Sequence, residues 1–179
     1  MWVIMKEIRV PVKTLSEKDF EPYGKVIKKP AGAKPDLANE MIEYYDLDKL
    51  YGVNTMLNEP LGVSYFETPR RPLAFMLERH SLTPEILIPL TGLSILPVAP
   101  IDQKRRDSLP DPEEIRGFLL SESEAVLLKP GVWHFIPNSI TECSRFIVIF
   151  RRGTAEEDLE IRDLGKELGV ALKYDFSLF

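Results

Sequence analysis

At 179 residues, with 44% hydrophobic and 28% charged side chains and a net charge of −5, the chain has the composition of an ordinary soluble domain. Its basic residues fall in small clusters (Lys28-Lys29, Arg70-Arg71, Lys104-Arg105-Arg106, Arg151-Arg152), which argues against the continuous basic stripe of a nucleic-acid binder. The single cysteine, Cys143, cannot form an internal disulfide, and no apolar run reaches membrane-spanning length, so a cytoplasmic protein is expected.

The opening Met1-Trp2-Val3-Ile4-Met5-Lys6 is apolar but too short for a signal core. Ile8–Pro11 is the first predicted strand. Ser16–Tyr23 reads as a short helix, with Ser16 as N-cap and Asp19 three residues on, a variant of the capping box. Lys28–Asn39 carries Pro30, Gly32 and Pro35 and no apolar rhythm, which predicts a loop. Short apolar runs broken by turn signals follow, at Gly62–Glu67, Ala74–Arg79, Glu85–Leu90 and Leu93–Val98. That pattern predicts strands of a sandwich or barrel.

Leu90-Thr91-Gly92-Leu93 reads as a tight hairpin connection, with Gly92 free to take positive φ. Ile101–Pro112 is a charged, proline-bounded loop of the kind that covers a site or a subunit contact. Asp111–Arg116 predicts a helical turn opened by Pro112. Strands are expected at Gly117–Leu120, Ala125–Leu128 and Phe146–Phe150, the last rich in β-branched and aromatic residues. Glu156–Asp163 fits strand or helix equally. No repeat or linker divides the sequence, so one mainly β domain spanning residues 1–179 is expected, with a core at about 60–153 and terminal extensions packed on it.

The chain has two histidines, and each lies in a short spaced motif. The first motif is Glu78-Arg79-His80 with Glu85 and Gly92; the second is Gly131-Val132-Trp133-His134 with Asn138. Strand alternation points Glu78 and His80 to one side and Arg79 to the other. The turn Ser81–Pro84 resets the parity and lets Glu85 face inward. A barrel would bring Glu78, His80, Glu85 and His134 to one interior point, as a site for a divalent metal or for acid–base chemistry. The plainer alternatives stay open: Glu78 in an edge salt bridge, Glu85 as a solvated turn residue, and the histidines as hydrogen-bonded structural groups. Trp133 and Phe135 are assigned to core packing. Lys129 is either a holder of a substrate carboxylate or an exposed turn lysine, and Cys143 is read as inert.

The two motifs resemble those of the cupin superfamily, whose small barrel holds a metal through histidines and a glutamate. Here Glu78 stands at the position of the first histidine and Lys129 where a proline is usual. Within the cupins, the chain is similar to the ureidoglycolate lyase family. The likeness rests on Phe20-x2-Tyr23-Gly24-x-Val26-Ile27, Tyr45-Asp46-Leu47, Pro72-Leu73, Leu77-Glu78-Arg79-His80, Ile88-Pro89, Val132-Trp133-His134 and Arg152-Gly153. Four features depart from the family pattern: Glu85 where glutamine is frequent, Phe135 in place of a second histidine, Arg151 in place of an acidic residue, and no arginine at Glu67–Thr68, where one is expected.

The resemblance implies a mainly β, cupin-like double-stranded β-helix (jelly-roll barrel) with a few short helices. It also implies a homodimer, a small carboxylate substrate, and cleavage of ureidoglycolate to glyoxylate and urea late in allantoin breakdown. On that reading one divalent metal would sit among Glu78, His80, Glu85 and His134, with Glu78 as base and Lys129 as partner of the substrate carboxylate. The other readings are a different metal-dependent small-molecule cupin enzyme (isomerase, dioxygenase or aminohydrolase) and a non-catalytic carboxylate-binding cupin.

Overall fold

The computed structural model describes residues 5–29, 31–47, 60–71, 73–101 and 108–174. In chain order, β1 (Lys6–Val10) and β2 (Val12–Thr14) precede α1 (Glu17–Phe20) and β3 (Gly24–Ile27). A ribbon of β4 (Leu37–Ala38) and β5 (Glu43–Tyr44) follows. Then come β6 (Leu61–Pro69), β7 (Leu73–Ala74), β8 (Met76–Arg79), β9 (Glu85–Thr91) and β10 (Ser94–Ala99). A 3₁₀ turn at Pro112–Glu114 leads into β11 (Arg116–Leu120), β12 (Ala125–Leu128), β13 (Trp133–His134), β14 (Asn138–Ser139) and β15 (Cys143–Arg151). The chain continues through α2 (Thr154–Glu157), β16 (Glu160–Asp163), α3 (Leu164–Leu168) and β17 (Val170–Tyr174).

Two sheets build the barrel. One runs β16-β8-β13-β10-β11-β2, with β14 also on β10; the other runs β3-β12-β9-β15-β6. Alternation along the strands explains why they close on each other. Leu96 and Val98 of β10 and Phe118 and Leu120 of β11 point inward against Leu87, Val126, Leu128, Phe146 and Val148 of the five-stranded sheet. The residues between them, Ile95, Ala99 and Leu119, point outward into a second core. There Ile8, Val10, Leu164, Leu172 and Tyr174 cover them, from the three-stranded β1-β17-β7 layer and α3. Each fully buried aliphatic or aromatic side chain contributes roughly 1.5–3 kcal/mol over exposure, so the alternating pattern itself is the main source of stability. The mainly β, cupin-like architecture expected from the sequence is the one observed. No described helix is long and apolar enough to cross a membrane.

The predicted strands all appear, most within two residues of their expected bounds, although Ala74–Arg79 is interrupted at Phe75 into β7 and β8. The Ser16 cap is also present: its Oγ accepts from Asp19 N–H and donates to the Asp19 carboxylate, and Phe20 is driven edge-on against Phe118.

Three expectations need correction. The Leu90–Leu93 segment is no hairpin, because β9 and β10 belong to different sheets; the turn carries the chain from one sheet to the other. Gly92 does take φ +86°, and a Cβ there would lie 2.4 Å from Ser144 Oγ, so the tight turn is real and its partners are not local. Lys28–Asn39 is not loop throughout, since its last residues enter β4. Glu156–Asp163 is both alternatives in succession, helix to Glu157 and strand from Glu160. Residues 102–107 of the Ile101–Pro112 loop, together with Met1–Ile4, Pro30 and Pro72, lie outside the described residues.

Candidate active site

The site forms where the chain crosses between the sheets. Glu78 lies on β8 directly opposite His134 on β13, and His80 follows at the end of β8. After the turn at residues 80–84, Glu85 opens β9 in the facing sheet, paired with Leu128. Glu78 and His134 thus lie in one sheet, His80 just past the end of its β8 strand and Glu85 in the other sheet, and His80, Glu85 and His134 are all buried. Glu85 Oε2 lies 3.1 Å from His80 Nε2 and 3.6 Å from His134 Nε2, while Glu78 Oε1 is 4.0 Å from His134 Nε2.

Each imidazole is oriented from behind. His134 Nδ1 lies 2.9 Å from the Val132 carbonyl and His80 Nδ1 lies 3.3 Å from the Asp158 carbonyl. A carbonyl only accepts, so each Nδ1 carries the proton and each Nε2 is turned toward the cavity. Arg79, on the other face as alternation requires, stacks over Trp133 at 4.5 Å and pairs with Glu160 at 2.7 Å, tying β8, β13 and β16 together behind the site.

The electrostatics divide the two carboxylates. Burial raises the pKa of Glu78, only partly offset by His134, so it binds a proton more readily than an ordinary glutamate. Burial opposes ionisation of Glu85 as well. There the charge of His134, 3.6 Å away, then the hydrogen bond and charge of His80, win and hold it at about 2. Burial likewise favours a neutral His134, but Glu85 and then Glu78 outweigh it and raise that ring to about 9.

These groups form the polar floor of a cavity of about 200 Å³. Phe66, Leu87, Val148 and Phe150 of the five-stranded sheet make one wall. Phe135, Ile136 and Pro137 make a second, and Ala155 and Leu159 at α2 a third. The apolar walls were missed from sequence, although the alternation of Phe146, Val148 and Phe150 along β15 carries that signal.

Lys129 is not brought to this cavity. Its Nζ donates to the Glu21 carbonyl at 2.5 Å and lies 3.6 Å from the Glu21 carboxylate, so the turn that carries it points the ammonium outward. Of its two sequence readings, the surface one matches this placement. Phe135 also departs from expectation: it packs on the outer core but lines the cavity too, because the strand ends at His134 and alternation ends with it. Trp133 is core, as expected.

The donors suit a borderline divalent cation. Glu78, His80 and His134 each place a ligand atom within 4.8 Å of the others, and the Glu85 oxygen lies beside both Nε2 atoms. Among the described residues His134 Nε2 is buried and has no hydrogen-bond partner, while both Nδ1–H groups are engaged by carbonyls, as in metal-bound histidines.

A sequence model described as ureidoglycolate lyase matches residues 7–171. The chain is 32% identical over 150 residues to ureidoglycolate lyase 2 of Rhizobium meliloti (strain 1021), covering 82% of this chain and 88% of that one. It is 34% identical over 148 residues to the ureidoglycolate lyase of Burkholderia mallei (strain NCTC 10229), covering 79% and 82%. Among solved structures, dTDP-4-dehydrorhamnose 3,5-epimerase from Elizabethkingia anophelis NUHP1 superposes with a TM-score of 0.48 at 14% identity, over 83% of this chain and 84% of that chain. With a family match that runs through both histidine motifs, the chain belongs to the ureidoglycolate lyase family.

Proposed function

We propose that this protein is a carbon–nitrogen lyase that splits ureidoglycolate into glyoxylate and urea. The observation that carries the reading is the family match over residues 7–171, which includes a floor of two carboxylates and two imidazoles under an apolar cavity. Ureidoglycolate bears a hydroxyl and a ureido nitrogen on one carbon beside a carboxylate. Its cleavage needs the hydroxyl proton removed and the C–N bond broken. The oxygen's electrons then form the new carbonyl, and the departing nitrogen takes the bond pair and a proton.

Glu78 is the residue to move that proton. Its pKa is raised by burial, and it lies 4.0 Å from His134, with no hydrogen bond from the described residues to tie it down. It would accept the hydroxyl proton and return it to the nitrogen, so the reaction consumes neither water nor a net proton. Glu85 stays ionised and holds the Nε2 edges of both rings in register. Both carboxylates are within reach of a cation. Glu85 is the better ligand because its oxygen already lies between the two imidazoles, so His80, Glu85 and His134 would hold a divalent metal, leaving Glu78 for the proton. When bound, the cation would supply Lewis-acid stabilisation of the developing alkoxide and a counter-charge for the substrate carboxylate. The apolar walls exclude water and strengthen each of these interactions. We take the working form to be a cytoplasmic homodimer, as the family resemblance implies, and light scattering of the purified protein tests its size.

The deciding experiment is glyoxylate release from ureidoglycolate by purified protein, before and after chelation and with divalent metal restored. Release that falls on chelation and returns with metal supports the full reading. Metal bound in stoichiometric amount without glyoxylate release would reject this substrate.

A further inference from the structure

We propose that Asp158 is the positioning residue of His80, acting through both its main chain and its side chain. The His80 Nδ1 atom donates to the Asp158 carbonyl at 3.3 Å. The Asp158 carboxylate accepts the main-chain N–H groups of Ser81 at 3.0 Å and Leu82 at 2.8 Å, the two residues that follow His80 in the turn. The Asp158 N–H is also used, donating to Thr154 to close α2.

One residue therefore grips the turn that carries the imidazole and sets the ring itself. Hydrogen bonds to an ionised acceptor are the stronger kind, and two converging on one carboxylate fix its orientation. Asp158 lies two residues before Glu160, which opens β16 opposite Arg79, so the ladder delivers it to the end of β8. On either side of it in the chain, Ala155 within α2 and Leu159 line the cavity, so the grip also sets the position of one cavity wall.

The role is one of orientation. With Nδ1 held as a donor, Nε2 stays turned toward Glu85 and the cavity, whether it serves a proton or a metal. The importance of Asp158 for catalysis rests on the lyase reading above; its effect on the ring does not.

The test uses the fact that the chain has two histidines. Imidazole ¹H–¹⁵N spectra of the metal-free, full-length protein resolve two rings. In the wild type, the His80 Nδ1–H is expected to show the shift of a group held by a carbonyl. In Asp158→Ala the His80 Nδ1–H resonance should move toward that of an unbonded imidazole while His134 is unchanged, and Asp158→Asn, which keeps one acceptor oxygen, should fall between. Turnover by Asp158→Ala should drop roughly 10- to 100-fold, mainly in kcat, with partial rescue in Asp158→Asn. If the alanine variant does not fold, the asparagine variant alone decides. A His80 spectrum identical to wild type in the folded variants would overturn the proposal. The spectrum needs no substrate, so a moved His80 beside absent ureidoglycolate turnover would reject the lyase reading and leave the role of Asp158 standing.

Discussion

His134 is seated inside a sheet, whereas His80 is seated just beyond one. The main chain of His134 is flanked by β8 on one side and β10 on the other, opposite Glu78 and Val98, and its ring is set by Val132 two residues away. His80 lies past the last residue of β8, and its ring answers to Asp158, 78 residues further along the chain. Secondary structure thus places one imidazole and a tertiary contact places the other. The same barrel holds one group by its ladder and the second by a separate segment, and the second is the more easily disturbed.

The largest expected effect erases the comparison altogether. His80→Ala or His134→Ala should each lower turnover by roughly 10³- to 10⁴-fold, toward the upper end for positioned acid–base groups, with circular dichroism showing the barrel still folded. Full activity in either variant would reject the site. Glu78→Gln comes next, at ~10²-fold or more in kcat with KM little changed, because it removes the proton carrier and leaves the shape.

A smaller effect separates the two seats by pH. In metal-free protein the folded pKa of His134 is raised, from 6.5 to about 9. Its contribution to stability is therefore fully present below about 6.5 and lost as pH rises through 9. Glu85 is lowered, from 4.5 to about 2, so its contribution is present above 4.5 and lost as pH falls toward 2. Thermal denaturation with chelator present should show a plateau between those limits and a fall on the alkaline side. Replacing Glu85 with Gln should remove that alkaline fall. Metal runs the other way: it competes with the proton on His134, so its apparent affinity should rise with pH, as titration calorimetry in buffers of different ionisation heat would report.

The smallest effect is at Lys129, where Ala should leave kcat/KM within about twofold, as for a surface substitution remote from the reacting atoms. A loss of tenfold would return Lys129 to the site.

What could be read from the sequence follows the same division. Glu78, His80, Glu85 and His134 were found because spacing and alternation are local properties, and Phe146–Phe150 was found because its residues are strand formers by themselves. Gly92 announced its positive φ, yet its turn was given the wrong partners, because the choice of sheet depends on residues far away. Val170–Tyr174 was missed for a related reason: this short segment finds its place by pairing in parallel with Lys6–Val10. Lys129 looked close to the site along the chain, but its direction is set by Glu21, 108 residues earlier. Asp158 left no trace at all, since the group that orients His80 is a main-chain carbonyl, which every residue possesses.

The parallel pairing of β1 with β17 has a consequence for synthesis on the ribosome. Lys6 leaves the exit tunnel early but cannot meet Val170 until nearly the whole described chain has been made. The barrel strands, through β15, emerge before that, and their apolar faces can close first. β16, which flanks β8, and the outer layer on β17 arrive last. A nascent chain arrested shortly after Arg151 would therefore carry Glu78, His80, Glu85 and His134 without the seat for His80, and the site would be completed only once Asp158 and β16 had been made.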